Sequence, residues 1–486
     1  MSPVSTGWET VIGLEVHAQL LTRSKMFCGC PTAFGAPPNH QTCPVCQGMP
    51  GVLPVINRRA VEFGIRTARA LHCRINGVSR FARKHYFYPD MPKNYQISQY
   101  EALLAEDGGL EVEVGGAARR IGVERLHLEE DVGKLTHEGG VFETASASLV
   151  DFNRAGVPLM EIVSRPDLRS PVEAAEYLKT LRTILRYLGV CDGNMEAGSL
   201  RCDANISVRR RGSPELGTKV EIKNMNSFRH VRDALEHEAQ RQARALDRGE
   251  RVVQETRLWN PERAVTVSMR SKEYAHDYRY FPDPDLLPVE PAPAWVAAIE
   301  EALPELPRAR RQRFTVEYGL SPYDAELLAG DRALADYFED AVRVHANPKA
   351  LANWIGSELL RELKGDPAAV TVSPVRAPAL ARLVALVDAG TISGKMAKEL
   401  FERMARTGEE PDAIVRREGL RQVADEGAIG RVIDEVLAAH PAVVGDYRQG
   451  KKQAAGFLVG QVMKATQGKA NPQLVNRLLA ERLGSV

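Results

Sequence analysis

The chain has 486 residues, with 64 lysine and arginine against 63 aspartate and glutamate, a formal charge of +1. At ~150 residues per domain this length predicts about three domains, and the balanced charge excludes a global basic field, so a nucleic-acid partner is expected only at a local patch. The opening MSPVSTGWETVIGLEV lacks a basic region followed by an apolar core, and no run of about 18 apolar residues occurs, so neither a signal peptide nor a membrane partner is expected. Seven cysteines without a secretory signal predict a reducing, cytoplasmic setting, with any cysteine cluster serving a metal.

In chain order, TVIGLEV reads as a strand. Residues i and i+2 of a strand share a face, so Glu15 and His17 project together, either as a structural pair or as ligands. Cys28-Gly-Cys30 and Cys43-Pro-Val-Cys46 follow. Two short-spaced pairs suit a tetrahedral zinc site with no position open to water, hence a structural metal; the alternative is four reduced core cysteines. Cys73, Cys191 and Cys202 have no such spacing and read as core.

The stretch RKHYFYPDMPKNYQISQY (83–100) interleaves Arg83, Lys84, His85 and Lys93 with Tyr86, Phe87, Tyr88 and Tyr95. Basic groups attract phosphate and aromatic faces stack bases, although a loop with aromatic anchors has the same composition. RSKEYAHDYRYFPDPDL (270–286) is a similar cluster. GLEVEV, NISVRR and TKVEIK read as strands; EAAEYLKTLRTILRYL and SFRHVRDALEHEAQRQARAL read as amphipathic helices. Strands are not regularly followed by helices, which predicts an α+β fold with a largely antiparallel sheet.

Acids recur through this half: Glu129 and Glu130, Glu161, Glu196, Asp203 and Glu221. Glu161 and Glu221 lie in apolar or strand-like runs, where an unpartnered carboxylate is costly to bury. A divalent cation such as Mg²⁺, which takes hard oxygen ligands and bridges nucleotide phosphates, removes that cost. Surface salt bridges would account for Glu129 or Glu130, less well for Glu161 and Glu221.

LPVEPAPAW (287–295) is a proline-rich linker. Beyond it AWVAAIEEAL, DRALADYFEDAVR, NWIGSELLRELK and ALARLVALV read as helices, with a second break at RTGEEPD (406–412). From Tyr447 to Val486 seven bases (Arg448, Lys451, Lys452, Lys464, Lys469, Arg477, Arg482) face one acid, Glu481, a local balance of +6; this is either a solvated helical face or a phosphate-contacting one. The chain has no GxxxxGK[ST], HExxH or GxSxG. His127-Leu-Glu129 matches only the start of a zinc deaminase motif.

WETVIGLEVHAQL, YFYPDMPKNYQISQY, LHLEEDVGKL, DFNRAGVPLMEIV, SLRCDANISV and MRSKEYAHDYRYFPDPDL, in this order, closely resemble the B-subunit family of tRNA-dependent aspartyl/glutamyl amidotransferases. The C-terminal GKKQAAGFLVGQVMKATQGKANPQLVNRLL resembles that family's tail. The resemblance implies a cradle domain at 1–292, related to glutamine synthetase and guanidino kinases, with the zinc ribbon near 28–46; a helical domain at 293–408; and a tRNA-binding helical tail at 409–486. It implies ATP-dependent phosphorylation of a carboxylate on mischarged Asp-tRNA(Asn) or Glu-tRNA(Gln). Ammonia from an amidase, the A-subunit, then displaces phosphate, and a small C-subunit makes up the heterotrimer. A non-discriminating aminoacyl-tRNA synthetase is a further possible partner.

Carried onto this sequence, Glu15, His17, Glu130, Glu161, Asp203 and Glu221 would line the catalytic site. Glu15, His17, Glu130, Asp203 and Glu221 would ligate Mg²⁺, with Glu129 and Glu196 as further candidates. Lys84, Tyr86, Lys93, Arg201 and Lys223 would hold the nucleotide, and Cys28, Cys30, Cys43 and Cys46 a structural Zn²⁺. The competing readings are a non-catalytic tRNA-binding scaffold and a zinc-dependent hydrolase.

Overall fold

A computed structural model describes residues 7–138, 146–269, 278–420, 425–448, 451, 453–466 and 470–484. Residues 270–277 of the second aromatic cluster, and Lys452 and Lys469 of the tail, lie outside that set. The described chain divides into two compact units, Met1–Leu306 and Pro307–Val486.

The strands of the first unit, in chain order, are β1 (Trp8–Gln19), β2 (Arg74–Ile75), β3 (Ala82–His85), β4 (Tyr95–Ser98), β5 (Ala105–Val114), β6 (Ala117–Glu130), β7 (Lys134–His137), β8 (Ser148–Asp151), β9 (Pro158–Ser164), β10 (Leu200–Arg210), β11 (Val220–Lys223), β12 (Thr256–Asn260), β13 (Val265–Ser268) and β14 (Phe281–Pro282). Its helices are α1 (Arg58–Ala70), α2 (Pro171–Leu188), α3 (Phe228–Asp247) and α4 (Pro293–Glu301). Nine strands form one open sheet in the order β13-β12-β11-β10-β1-β9-β6-β5-β2. All its pairings are antiparallel except β11 with β12. The fold is thus mixed α/β with an antiparallel-rich sheet and a helical C-terminal region.

Alternation along β1 decides which face is which. Ile12, Leu14, Val16 and Ala18 are fully buried and belong to the main core with residues of α1, α2 and α3. Glu15 and His17 therefore lie on the opposite face. The helices that cover the core side begin at predictable caps: Ser170 and Ser227 accept from Glu173 and His230 N–H groups, and α2 ends on Gly189 in the left-handed region. A three-stranded sheet, β14-β3-β4, packs against β6 through β4.

The proline-rich stretch remains part of the first unit. Val289 exchanges backbone hydrogen bonds with Ser79, and α4 packs on α1. The second unit is helical and contains two separate hydrophobic cores, one spanning Phe314 to Val415 and one spanning Ile429 to Leu483. The helix expected at NWIGSELLRELK is interrupted. A π-helical turn, Ile355–Leu359, separates Pro348–Trp354 from Leu360–Glu362. It turns Glu358 inward, where Lys398 holds its carboxylate at 2.8 Å.

Candidate active site

Five adjacent strands assemble an acidic cluster on the sheet's open face. Register places His17 opposite both Glu161 on β9 and Arg201 on β10, Glu15 opposite Asp203, and Asn205 opposite Glu221 on β11. On the far side of β9, His127 of β6 also faces Glu161. Residues distant in sequence thus meet because antiparallel neighbours point the same way at each paired position.

The centre of the cluster is His17, Glu129 and Glu161, whose ligand atoms all lie within 4.8 Å of one another. His17 Nε2 stands 3.4 Å from Glu161 Oε2 and 3.9 Å from Glu129 Oε1. His127 Nε2 closes from the other side, 3.4 Å from Glu161 Oε2 and 3.8 Å from Glu129 Oε2. Its buried Nδ1 has no hydrogen-bond partner among the described residues. Ser98 on β4 donates to Glu129 Oε2 at 3.0 Å.

Burial disfavours charge on all four groups, but their mutual attraction outweighs it. Both imidazoles are pushed up, His127 to about 9, while Glu129 and Glu161 are held below the usual carboxylate range. A divalent cation would fit this donor set, in which two carboxylates and one imidazole nitrogen converge. Binding would displace the imidazole protons that now balance the charge.

Glu15, Asp203 and Glu221 adjoin this centre. Asn205 Nδ2 donates to Glu15 at 2.8 Å. Burial first, then repulsion from Glu161, Glu221 and Asp203, pushes the Glu15 carboxyl up. Lys223 lies 3.5 Å from Asp203 and 3.4 Å from Glu221. Arg201 projects beside His17, but its guanidinium is clamped by buried Asp131 at 2.9 and 3.1 Å. Gln19 donates to the same carboxylate at 2.6 Å, and Arg154 lies 3.5 Å from it.

Glu130 does not join the cluster. Its neighbour Glu129 occupies the open face, so Glu130 turns to the opposite side of the strand. There it accepts from Ile97 N–H at 2.9 Å and from Lys93 Nζ at 2.6 Å. Lys93 is accordingly spent on Glu130. Lys84 packs its amine 4.9 Å from the Tyr278 ring centre, and half-buried Tyr86 meets the same ring edge-on at 6.2 Å. Glu196 is exposed in a turn. His127, Asp131, Gln19 and Asn205 were not singled out by sequence reasoning as site residues. The i, i+2 relation of His127 to Glu129 was the available signal.

The four cysteines form a separate centre, with all four sulfurs within 4.8 Å of one another. Zinc–sulfur bonds of about 2.3 Å imply tetrahedral edges of about 3.8 Å, and Cys43 and Cys46 Sγ stand 3.9 Å apart, so the thiols fit zinc. Lys25, with no exposed surface, donates to Cys46 Sγ at 3.6 Å and to Phe152 O at 3.2 Å. Gly48 closes the knuckle in the left-handed region, and a Cβ there would sit 2.4 Å from Lys93 Cγ. The knuckle is thereby packed against the residue that holds Glu130.

In the tail, several bases are already engaged. Lys451 pairs with Asp446 at 2.8 Å, Arg482 with Asp434 at 2.7 Å, and Arg477 with Glu426.

An open acidic sheet face beside a closed four-thiol knuckle defines an α+β catalytic chain with two unlike centres. Two family models match it: one described as the GatB/GatE catalytic domain over residues 10–297, the other as the GatB domain over residues 336–483. A protein of Carboxydothermus hydrogenoformans, named as the B-subunit of aspartyl/glutamyl-tRNA(Asn/Gln) amidotransferase, is 53% identical over 479 residues, covering 99% of both chains. Identically named proteins of Thermodesulfovibrio yellowstonii and Moorella thermoacetica are each 56% identical, over 97% and 98% of this chain and 98% and 100% of their own. The chain belongs to the GatB/GatE family.

Proposed function

We propose that this chain is the ATP-using subunit of a tRNA-dependent amidotransferase acting on Asp-tRNA(Asn), Glu-tRNA(Gln) or both. The observation that carries the reading is the convergence of His17, Glu129 and Glu161 in a chain of this family. A carboxylate resists ammonia because it is anionic and offers a poor leaving group. Phosphorylation by ATP makes an acyl phosphate, from which ammonia displaces phosphate to leave the amide. Mg²⁺, when bound by His17, Glu129 and Glu161, with Glu15, Asp203 and Glu221 beside them, supplies the positioned positive charge that phosphoryl transfer needs.

The chain's own residues orient the anions. Lys223 and Arg201 present cations beside the acidic row, and Asp131 fixes the direction of Arg201. The thiol centre holds a structural zinc, since four protein ligands leave no position for substrate. The cradle corresponds to residues 1–292 and follows the glutamine synthetase and guanidino kinase plan; 293–408 is the helical domain and 409–486 the tRNA-binding tail. An amidase partner supplies ammonia, and a third, small partner makes up the cytoplasmic heterotrimer. The acidic face disfavours a purely scaffolding role, and the closed thiol centre disfavours a zinc hydrolase.

The test is a turnover assay of the purified complex with ATP, each mischarged tRNA and glutamine or ammonium. ATP-dependent amide formation on at least one tRNA is expected. Its absence with both ammonia sources would overturn the reading.

A further inference from the structure

We propose that the aromatic cavity bounded by Tyr100 and Tyr280 is the subsite for the adenine ring of ATP, an assignment that rests on the amidotransferase reading above. The cavity encloses about 380 Å³ and is lined by Arg80, Phe81, Tyr100, Glu101, Tyr280 and Phe281, among others. The rings of Tyr100 and Tyr280 are stacked, with centroids 4.1 Å apart and planes 6° from parallel. Tyr100 keeps 57% of its surface exposed and Phe281 44%. Large aromatic rings held in a fixed, exposed arrangement stack planar rings, whose ordering cost is low.

Two observations join this wall to the acidic centre. Ser98, which donates to Glu129 at 3.0 Å, precedes Tyr100 by two residues, roughly 7 Å along extended chain. Burial and then the charges of Glu129 and Glu161 push the Tyr280 phenol up, so those carboxylates lie close enough to act on it. A nucleotide with its phosphates at the acidic centre therefore reaches the wall with its base. The carboxylate of Glu101 accepts hydrogen bonds, and the exocyclic 6-amino group of adenine can supply one. The terminal adenosine of a tRNA carries the same ring, and the test separates the two sources.

The experiment uses the complex with both of its partner proteins. Tyr100→Ala and Tyr280→Ala are expected to raise KM for ATP about tenfold or more, the scale of losing one base–aromatic stack. KM for mischarged tRNA should stay within about twofold. Tyr280→Phe should recover most of the ATP affinity, because it restores the ring without the hydroxyl. A rise in KM for tRNA with none for ATP would assign the wall to the tRNA end and overturn the proposal. Unchanged KM values, a fall in kcat alone, or a Phe variant as impaired as the Ala variant would overturn it too. Equilibrium binding of a non-hydrolysable ATP analogue with Mg²⁺ tests the subsite even if the wild-type complex forms no amide. Weaker binding by the Ala variants then supports it, and equal binding refutes it.

Discussion

The two ligand centres differ in how they are closed. The thiol knuckle draws four sulfurs from residues 28–46 of one loop, as many as a tetrahedral ion takes. The acidic centre draws its three donors from separate strands, β1, β6 and β9, fewer than the roughly six or more oxygen ligands that a hard cation takes. A closed centre holds the chain together, whereas an open one can hold reacting phosphates. Their surroundings follow the same division: the knuckle has one buried lysine against its sulfur, and the acidic face has partly exposed Lys223 and Arg201 beside its carboxylates.

The largest effect is expected from breaking the open centre. Glu129→Gln or Glu161→Gln should lower single-turnover amide formation with ammonium salt by about 10³-fold, the loss of several kcal/mol of transition-state stabilisation. Zinc content should not change. Glu130→Gln, assayed alongside, should leave the Mg²⁺ concentration dependence where it was, because Glu130 faces Lys93. A shifted dependence in Glu130→Gln and none in Glu129→Gln would reverse the assignment.

Weakening the closed centre should act through the metal. Lys25→Met is expected to speed zinc transfer to a chromophoric chelator by roughly 10–100-fold, the usual cost of losing a group that supports metal ligands from behind. Lys25→Arg should recover part of it. An unchanged release rate in a folded Lys25→Met protein would show that the contact with Cys46 is incidental.

A smaller effect concerns Asp131, a buried charge balanced by protein cations alone. Burial raises its carboxyl, but Arg201 and Arg154 outweigh this and leave it lowered. A lowered folded value contributes stability that is present above the unfolded value of about 3.9 and is lost as pH falls through the folded one. Acid unfolding curves of Asp131→Asn should therefore be flatter than wild type below about pH 4. Parallel curves would mean that the pair carries no linkage.

What was legible in the sequence follows the same contrast. Cysteine spacing announces the knuckle because all its ligands are local. The periodicity of α2 and α3 and the alternation of β1 were legible for the same reason. Glu129 and Glu130 could not be told apart locally. Strict alternation from buried Ile121 and Val123 would carry Glu129 to the core and Glu130 to the open face. The structure does the reverse, with Leu126 and Leu128 in the core, because the register of β6 shifts against β9 between Val123 and Arg125. That shift is set by pairing with a distant strand. The stacked pair of Tyr100 and Tyr280 is equally non-local.

Exposed Glu124 is the residue passed over in that shift. It makes β6 a strand with one spare link in its chain. Shortening the gene by the Glu124 codon would close the gap against β9 but slip β6 by one residue against β5, whose register with it runs unbroken from Ala105 opposite Leu126 to Val114 opposite Ala117. Losing a codon anywhere from Leu126 to Leu128 offers no such slack, and would exchange oily and charged faces on one side of the cut. Length variation in this strand is thus expected at Glu124 only together with a matching change at Asp107, the residue opposite it on β5.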